Sequence, residues 1–458
     1  MSQEKDGQVP YQSPPQFLAK ALIRSLTRGT AIARGVRYIH VGHDRWLAAQ
    51  EEMLDEVAED THSETKFVRG AYGAGKSHFL AVVQDRARER GWMTSHIECK
   101  VDSVQIDRFE TLYPKLAAKL LSRDMLEAAD SEGDVLPQDP IRYLLDRWTS
   151  QQLRAAGVRD EGLTRPFDAD NRLYVQFQKG LLQSNLPPEF CRVLVAYSRA
   201  YLVRDLETTS AVSRWLRGVD DRCRIPAAYT GRSTTGSAAR AAGTVDIRPI
   251  GKGTAHDVMR GLLWLVRSAG YQGLVLCIDE VEELAKLGNR KRQDQALQAL
   301  REYVDHAGGE GGYSNLCMYL AATPDMFEGP DYFPRYDALA TRIQPIGSEI
   351  NWRAPVIDLD RTPLEPAQMR EVALGIWRVH RIAYGDEVTR SFGEALIGVV
   401  VEKLVDSRLR MARPRLLARV IVDELERARQ NGARYEAPVD VESLIGRAAS
   451  AVAREAER

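Results

Sequence analysis

Residues 70–77 read Gly70-Ala71-Tyr72-Gly73-Ala74-Gly75-Lys76-Ser77, which satisfies G-x-x-x-x-G-K-S/T without a gap. Thr65 to Arg69, just upstream, is a short β-prone run. From Lys76 the chain continues through His78, Phe79, Leu80, Ala81, Val82 and Val83 into an Arg-rich stretch that reads as helix. Strand, glycine loop, helix is the order that lets successive N–H groups turn inward around phosphate oxygens, with the helix N-terminus adding partial positive charge. The geometry nominates Gly70, Tyr72, Gly73, Ala74, Gly75, Lys76, Ser77 and His78 as a nucleotide-phosphate cradle. Lys76 is expected to reach the β and γ phosphates and Ser77 to place its hydroxyl on a bridging Mg²⁺. A glycine-rich turn without a ligand is the competing reading, and it leaves both flanks unexplained.

Working outward, Leu274-Val275-Leu276-Cys277-Ile278 is a continuous apolar run that ends in Asp279-Glu280, the pattern of a central parallel strand buried on both faces. Ligands collect at the carboxyl ends of such strands. Asp279 is therefore expected to hold Mg²⁺ through water, and Glu280 to polarise an attacking water. The alternative is that Asp279-Glu280 starts a solvated acidic helix, since Glu282 and Glu283 follow. A second buried strand, Leu316 to Ala322, ends in Thr323-Pro324-Asp325. Thr323 at its tip would contact the γ phosphate or the attacking water, although Thr-Pro-Asp is also ordinary turn chemistry.

Composition bounds these readings. The 458 residues accommodate two to four domains at about 100–200 residues each. Hydrophobic residues at 44% and charged residues at 28% are ordinary for a globular protein and exclude disorder over most of the chain. With 63 basic against 64 acidic residues no global field draws the chain to nucleic acid or membrane, so DNA contact would need a local basic patch. The longest apolar run, Leu316–Ala322, is 7 residues, against about 20 for a membrane span. The polar start, Met1 to Asp6, lacks the order of a secretory signal and points to the cytoplasm. Five widely spaced cysteines read as buried thiols rather than disulfides or a zinc knuckle. No H-E-x-x-H or G-x-S-x-G occurs, which removes support for metal-hydrolase and serine-hydrolase readings.

These motifs together resemble the AAA+ ATPases, with Walker A at Gly70–Ser77, Walker B at Leu274–Glu280 and a sensor-1 position at Thr323. The resemblance implies an α/β fold: a P-loop NTPase core with a five-stranded parallel sheet between helices, and a C-terminal helical lid. Pro355-Val356-Ile357-Asp358-Leu359 is the implied fifth strand. Arg413-Pro414-Arg415-Leu416-Leu417-Ala418-Arg419 looks like the sensor-2 helix, with Arg415 as the sensor. Tyr38-Ile39-His40-Val41-Gly42-His43 resembles the adenine-pocket element of the initiator-like, origin-recognition-like group, which assigns Val41 and Gly42 to the base. That group carries Gly-Arg where this chain has Gly42-His43. Arg335 and Arg342 lie where AAA+ rings place the arginine finger that completes a neighbour's site, and Arg342 is the better candidate. An intramolecular salt bridge is the alternative for either. Arg408, Arg410, Arg413, Arg415 and Arg419 cluster near the sensor helix, to serve nucleotide sensing, a phosphate backbone or simply a solvated face.

Ser77 and Asp279 stand 202 positions apart, whereas one strand and two helices need about 50 to 60 residues. Something is inserted. After an expected strand at Trp92–Cys99, helix-like segments occur at Leu112–Leu121, Ile141–Trp148 and Arg192–Val203. Gly231–Arg240 reads as a loop, and Val258, Met259, Leu262, Leu263 and Val266 resume a helical period. The expected division is 1–45 as N-terminal extension with the adenine element, 46–104 as first core part and 105–250 as a mainly helical insertion. The second core part follows at 251–359, and the lid at 360–458. This combination, with Gly270-Tyr271-Gln272-Gly273-Leu274 and Tyr336-Asp337-Ala338-Leu339-Ala340-Thr341-Arg342, resembles the ATP-binding proteins of bacterial BREX antiphage systems, especially the BrxD type. It implies ATP and Mg²⁺ as cofactors and self-association or other defence proteins as partners. The implied activity is an ATPase that remodels a protein or DNA partner. A nucleotide-controlled switch or scaffold with slow hydrolysis is the alternative, and a small-molecule kinase a distant third.

Overall fold

The computed structural model describes residues 13–456 except 31, 33, 61, 101–105, 132–135, 159–165, 182–183, 221, 231–242, 288, 309–311, 345–348, 386–391 and 407–412. Its strands are β1 (Glu64–Arg69), β2 (Met93–Glu98), β3 (Cys223–Pro226), β4 (Thr244–Ile247), β5 (Leu274–Asp279), β6 (Leu316–Ala322) and β7 (Val356–Asp358). Five of them form one parallel sheet in the order β2-β5-β6-β1-β7. β5 and β6 have neighbours on both sides, and every residue of each is buried. That double burial is why they read as unbroken apolar runs, without the alternation of a half-exposed strand.

The sheet separates two cores. Alternate side chains of β5 go to opposite faces: Leu274, Leu276 and Ile278 join one cluster, Val275 and Cys277 the other. Helices Phe109–Ala118, Pro140–Ala155, Pro188–Leu202 and Ala255–Ser268 build the first cluster. Helices Gln16–Arg28, Asp44–Asp60, Lys76–Glu89, Pro366–Tyr384, Glu394–Asp406 and Arg413–Asn431 build the second. The first helix of the chain thus packs with the last ones, far away in sequence. Gly29, at φ 66°, ends that first helix in a left-handed turn.

The strands expected at Thr65–Arg69, Trp92–Cys99 and Pro355–Leu359 form within a residue or two of those bounds, and Leu316–Ala322 forms over its full length. The helix-like segments at Ile141–Trp148 and Arg192–Val203 are helices to within a residue, whereas that at Leu112–Leu121 is helical only to Ala118, and Leu121 instead pairs with Thr94. Between them and Ala255 the chain also contains an antiparallel pair, β3 with β4, Cys223 opposite Ile247, which the periodicity did not reveal. The loop read at Gly231–Arg240 lies outside the described residues. All five cysteines are buried and free. Among the described residues no helix is long and apolar enough to cross a membrane.

Candidate nucleotide site

The loop after β1 is anchored to the sheet, because Gly70 N–H donates to the Ala322 carbonyl at 3.3 Å. Gly73 and Gly75 sit at φ 81° and 104°. A Cβ on Gly75 would meet nothing within 4 Å, so the left-handed backbone, not crowding, calls for glycine there. Helix Lys76–Glu89 starts at once. The Lys76 side chain is only 8% exposed and lies 3.6 Å from Glu282 Oε1. Its Nζ donates to the Gly70 carbonyl at 2.9 Å. Ala71 N–H donates to both carboxylate oxygens of Asp360 at 3.0 and 3.1 Å.

Parallel register sets Glu98, at the end of β2, opposite Asp279 at the end of β5. Asp279 is 2% exposed. Its Oδ1 accepts the Glu280 N–H at 2.9 Å, and its Oδ2 stands 3.9 Å from His96 Nε2. Glu280 has φ 57° and ψ 40°. That left-handed residue turns the chain sharply off the strand into a 3₁₀ turn, Val281–Lys286, and the next α-helix begins only at Arg290. Asp279-Glu280 is therefore not the first turn of an acidic α-helix. Desolvation, then the neighbouring charges of Asp279, Glu98, Glu282 and Glu283, push the Glu280 carboxyl up to about 6. Burial likewise raises Glu282, against the opposing pull of Lys76.

Loop and strand ends open on one cleft of about 420 Å³. Its charged floor carries Tyr72, Gly73, Ala74, Gly75, Lys76, Ser77, His78, Asp279, Glu280, Glu282, Glu98 and Lys100. Ile39, Val41, Leu364, Val372, Ile376 and Ala418 add apolar surface to the lining. Arg415 and Arg419 come in from helix Arg413–Asn431, and the Arg415 guanidinium lies 4.8 Å from the centre of the Tyr72 ring. Gly70 and Gly42 border the cleft without lining it. A Cβ on Gly42 would fall 2.7 Å from Leu364 Cδ2, at φ 86°. His43, the departure from the initiator pattern, lines the cleft and packs edge-on against Phe79.

Not every expected residue converges. Thr323 N-caps the short helix Pro324–Glu328 at the carboxyl end of β6, outside the cleft lining. Arg335 is held by Asp294, at 2.5 Å, which realises the salt-bridge alternative for that residue. Arg342 is on helix Asp337–Ile343, its side chain outside the described residues. Arg408 and Arg410 also lie outside them. Sequence reasoning missed Asp360, Glu98 and His96 as neighbours of the site, while Arg419, one of the arginine cluster it read there, lines the cleft. It also missed the packing of His40 on His78, 3.1 Å between Nδ1 and Nε2. Burial, then the neighbouring His78, drops His40 to about 2, and burial, then His43, drops His78 to about 4. Both are neutral at physiological pH.

The donor set suits Mg²⁺. Four carboxylates, Asp279, Glu280, Glu282 and Glu98, line the floor, and their crowding shows in the raised Glu280. Among the described residues no three His, Cys, Asp or Glu groups are arranged to hold a metal alone. Mg²⁺ commonly takes one or two protein carboxylates and the rest of its oxygens from phosphate and water.

A family model, BREX system ATP-binding protein BrxC/D, matches residues 16–436. The chain belongs to the BrxC/D family. Among curated proteins none matches the sequence. The BrxC/D match starts where the first helix starts and takes in every strand of the sheet and all residues lining the cleft. Membership carries ATP binding and a place in the BREX system.

Proposed function

We propose that this BrxC/D-family chain is an AAA+ ATPase whose 420 Å³ cleft binds and hydrolyses ATP with Mg²⁺. It acts in an oligomer or multi-protein complex, coupling hydrolysis to remodelling of a protein or DNA partner in antiphage defence. The observation that carries the reading is convergence. Lys76 and Ser77 share one cleft with Asp279 and Glu280, Asp279 standing 202 positions after Ser77, and apolar side chains fit for a base line the same cleft. In this reading 46–104 and 251–359 form the core, 105–250 the insertion and 360–458 the lid.

Val41 and Ile376 would hold the base, and the loop N–H groups the phosphates. Lys76 exchanges the Gly70 carbonyl and Glu282 for β and γ oxygens, so the ammonium loses no partner on binding. Ser77 and Asp279 would hold Mg²⁺, which when bound neutralises phosphate charge. Glu280, ionised above about 6, accepts a proton from the attacking water. Arg415 senses the γ phosphate from the lid, and Arg342 completes a neighbouring subunit's site. The test is ATP turnover by the wild type and Glu280→Gln, each with and without DNA. Tight ATP binding with negligible turnover in every condition would favour the switch reading.

A further inference from the structure

A second cleft, of about 370 Å³, opens beside β2, at the edge of the sheet. Gln84 and Arg88 reach it from the helix after the glycine loop, and Thr94, His96 and Glu98 from β2. Leu120, Leu121, Met125, Leu136 and Pro137 make its other wall apolar. The volume is in the range of small-molecule sites, about 300–1,000 Å³.

The polar wall is incompletely used. Arg88, with a 5% exposed side chain, lies 3.5 Å from Asp85 and donates Nη1–H to Thr94 at 2.9 Å, yet its Nε is buried without a hydrogen-bond partner. Lys119 stands exposed on the rim and forms no ion pair among the described residues. The single carboxylate of the lining, Glu98, is already occupied by Lys100 at 3.2 Å. Arginine, lysine and an unspent N–H beside an apolar wall suit an anionic head on an apolar body.

His96 connects this cleft to the first. Gln84 Nε2 donates to the Leu80 carbonyl at 3.2 Å and lies 3.0 Å from His96 Nδ1. Nδ1 then accepts, which puts the proton of the neutral ring on Nε2, a buried atom without a hydrogen-bond partner that faces Asp279 Oδ2 at 3.9 Å. Ile32 and Glu98 line both clefts.

We propose that the edge cleft is a second ligand site, for a small organic anion with an apolar body, and that its occupant shifts His96 against Asp279. The second half rests on Asp279 being a Mg²⁺ ligand. The test uses the full chain saturated with ADP and Mg²⁺, titrated calorimetrically with 1-naphthoate and with neutral 1-naphthalenemethanol. One naphthoate should bind per chain, about tenfold or more tighter than the alcohol. Ala118→Trp, at an exposed lining position, should fill the cleft and weaken naphthoate by about tenfold while ADP affinity stays within about twofold. Lys119→Glu should weaken naphthoate alone. The Mg²⁺ concentration for half-maximal ATP turnover should move about threefold with naphthoate, unless His96→Gln or Ala118→Trp is present. Displacement of naphthoate by ADP, equal binding of the alcohol, or full binding by Ala118→Trp overturns the site. Bound naphthoate with an unmoved Mg²⁺ requirement overturns the link to Asp279. Absent turnover without any probe would instead count against the ATPase reading, and the binding arms would still decide the site.

Discussion

Lys76 and Glu280 carry the opposite charges of the cleft, and their environments differ. The lysine is buried with two oxygens for partners. Lys76→Ala leaves those oxygens without their cation, a cost of about 1–3 kcal/mol that leaves the fold standing. It should abolish the ATP-dependent thermal shift, and an undiminished shift would move the nucleotide elsewhere. Glu280 opens onto the cleft, and its left-handed backbone aims it there. Glu280→Gln should retain ATP and stop hydrolysis, because the amide cannot take a proton. The pH profile follows from the same carboxyl. Raised to about 6, it is a base above that pH and a neutral acid below, so turnover should fall as pH drops through 6. The stability sign is opposite: a carboxyl raised on folding makes the native state less favourable as pH rises through about 6. An acid limb near the ordinary glutamate value would show that another group activates the water.

At the scale of elements, the entry to β5 is as constrained as its exit. A Cβ on Gly273, at φ 155°, would lie 2.3 Å from the Asn315 carbonyl oxygen and 2.4 Å from the Trp92 ring. Gly273→Ala is therefore expected to destabilise the protein by about 1–3 kcal/mol, read as a lower urea midpoint at unchanged slope. The two arginines flanking Asp337 should part in their effects. Arg335 pairs with Asp294 where both are about one-third exposed, so Arg335→Ala should cost at most about 1 kcal/mol and leave turnover near wild type. Arg342→Ala should lower turnover and spare ATP affinity. Equal loss from both would mean that the segment, not a finger, matters.

For the whole molecule, the cleft touches elements from each end of the chain: Leu26, Gly29 and Thr30 close the first helix over it, and Arg415 and Arg419 reach it from the helix beginning at Arg413. A nucleotide there braces both ends against the loop. Saturation at 100 times the dissociation constant should add about 2.7 kcal/mol of stability. If Arg342 acts in trans, specific activity should rise with protein concentration. Mixing Arg342→Ala with Lys76→Ala subunits should restore part of it, since each supplies what the other lacks. Concentration-independent activity without rescue would place the finger on a different protein or remove it.

Gly70–Ser77, the run into Asp279-Glu280 and the Leu316–Ala322 strand were legible because each is contiguous: a glycine pattern or an unbroken apolar run states its own conformation and burial. The spacing from Ser77 to Asp279 likewise announced extra elements between them. What the local pattern could not contain is which distant residue meets which. The Asp360 carboxylate takes the Ala71 N–H across 289 positions, Glu98 comes opposite Asp279 through strand register, and His40 meets His78 across 38. β3 finds β4 by pairing, which four-residue strands scarcely signal. Sequence position favoured Arg342 over Arg335, and only the neighbouring helix, through Asp294, supplied Arg335 with an ion-pair partner. Sequence specified the chemistry at the strand ends, since local residue types carry it. Strand order decided its surroundings, since hydrogen-bond register and sheet packing bring together residues that share no local pattern.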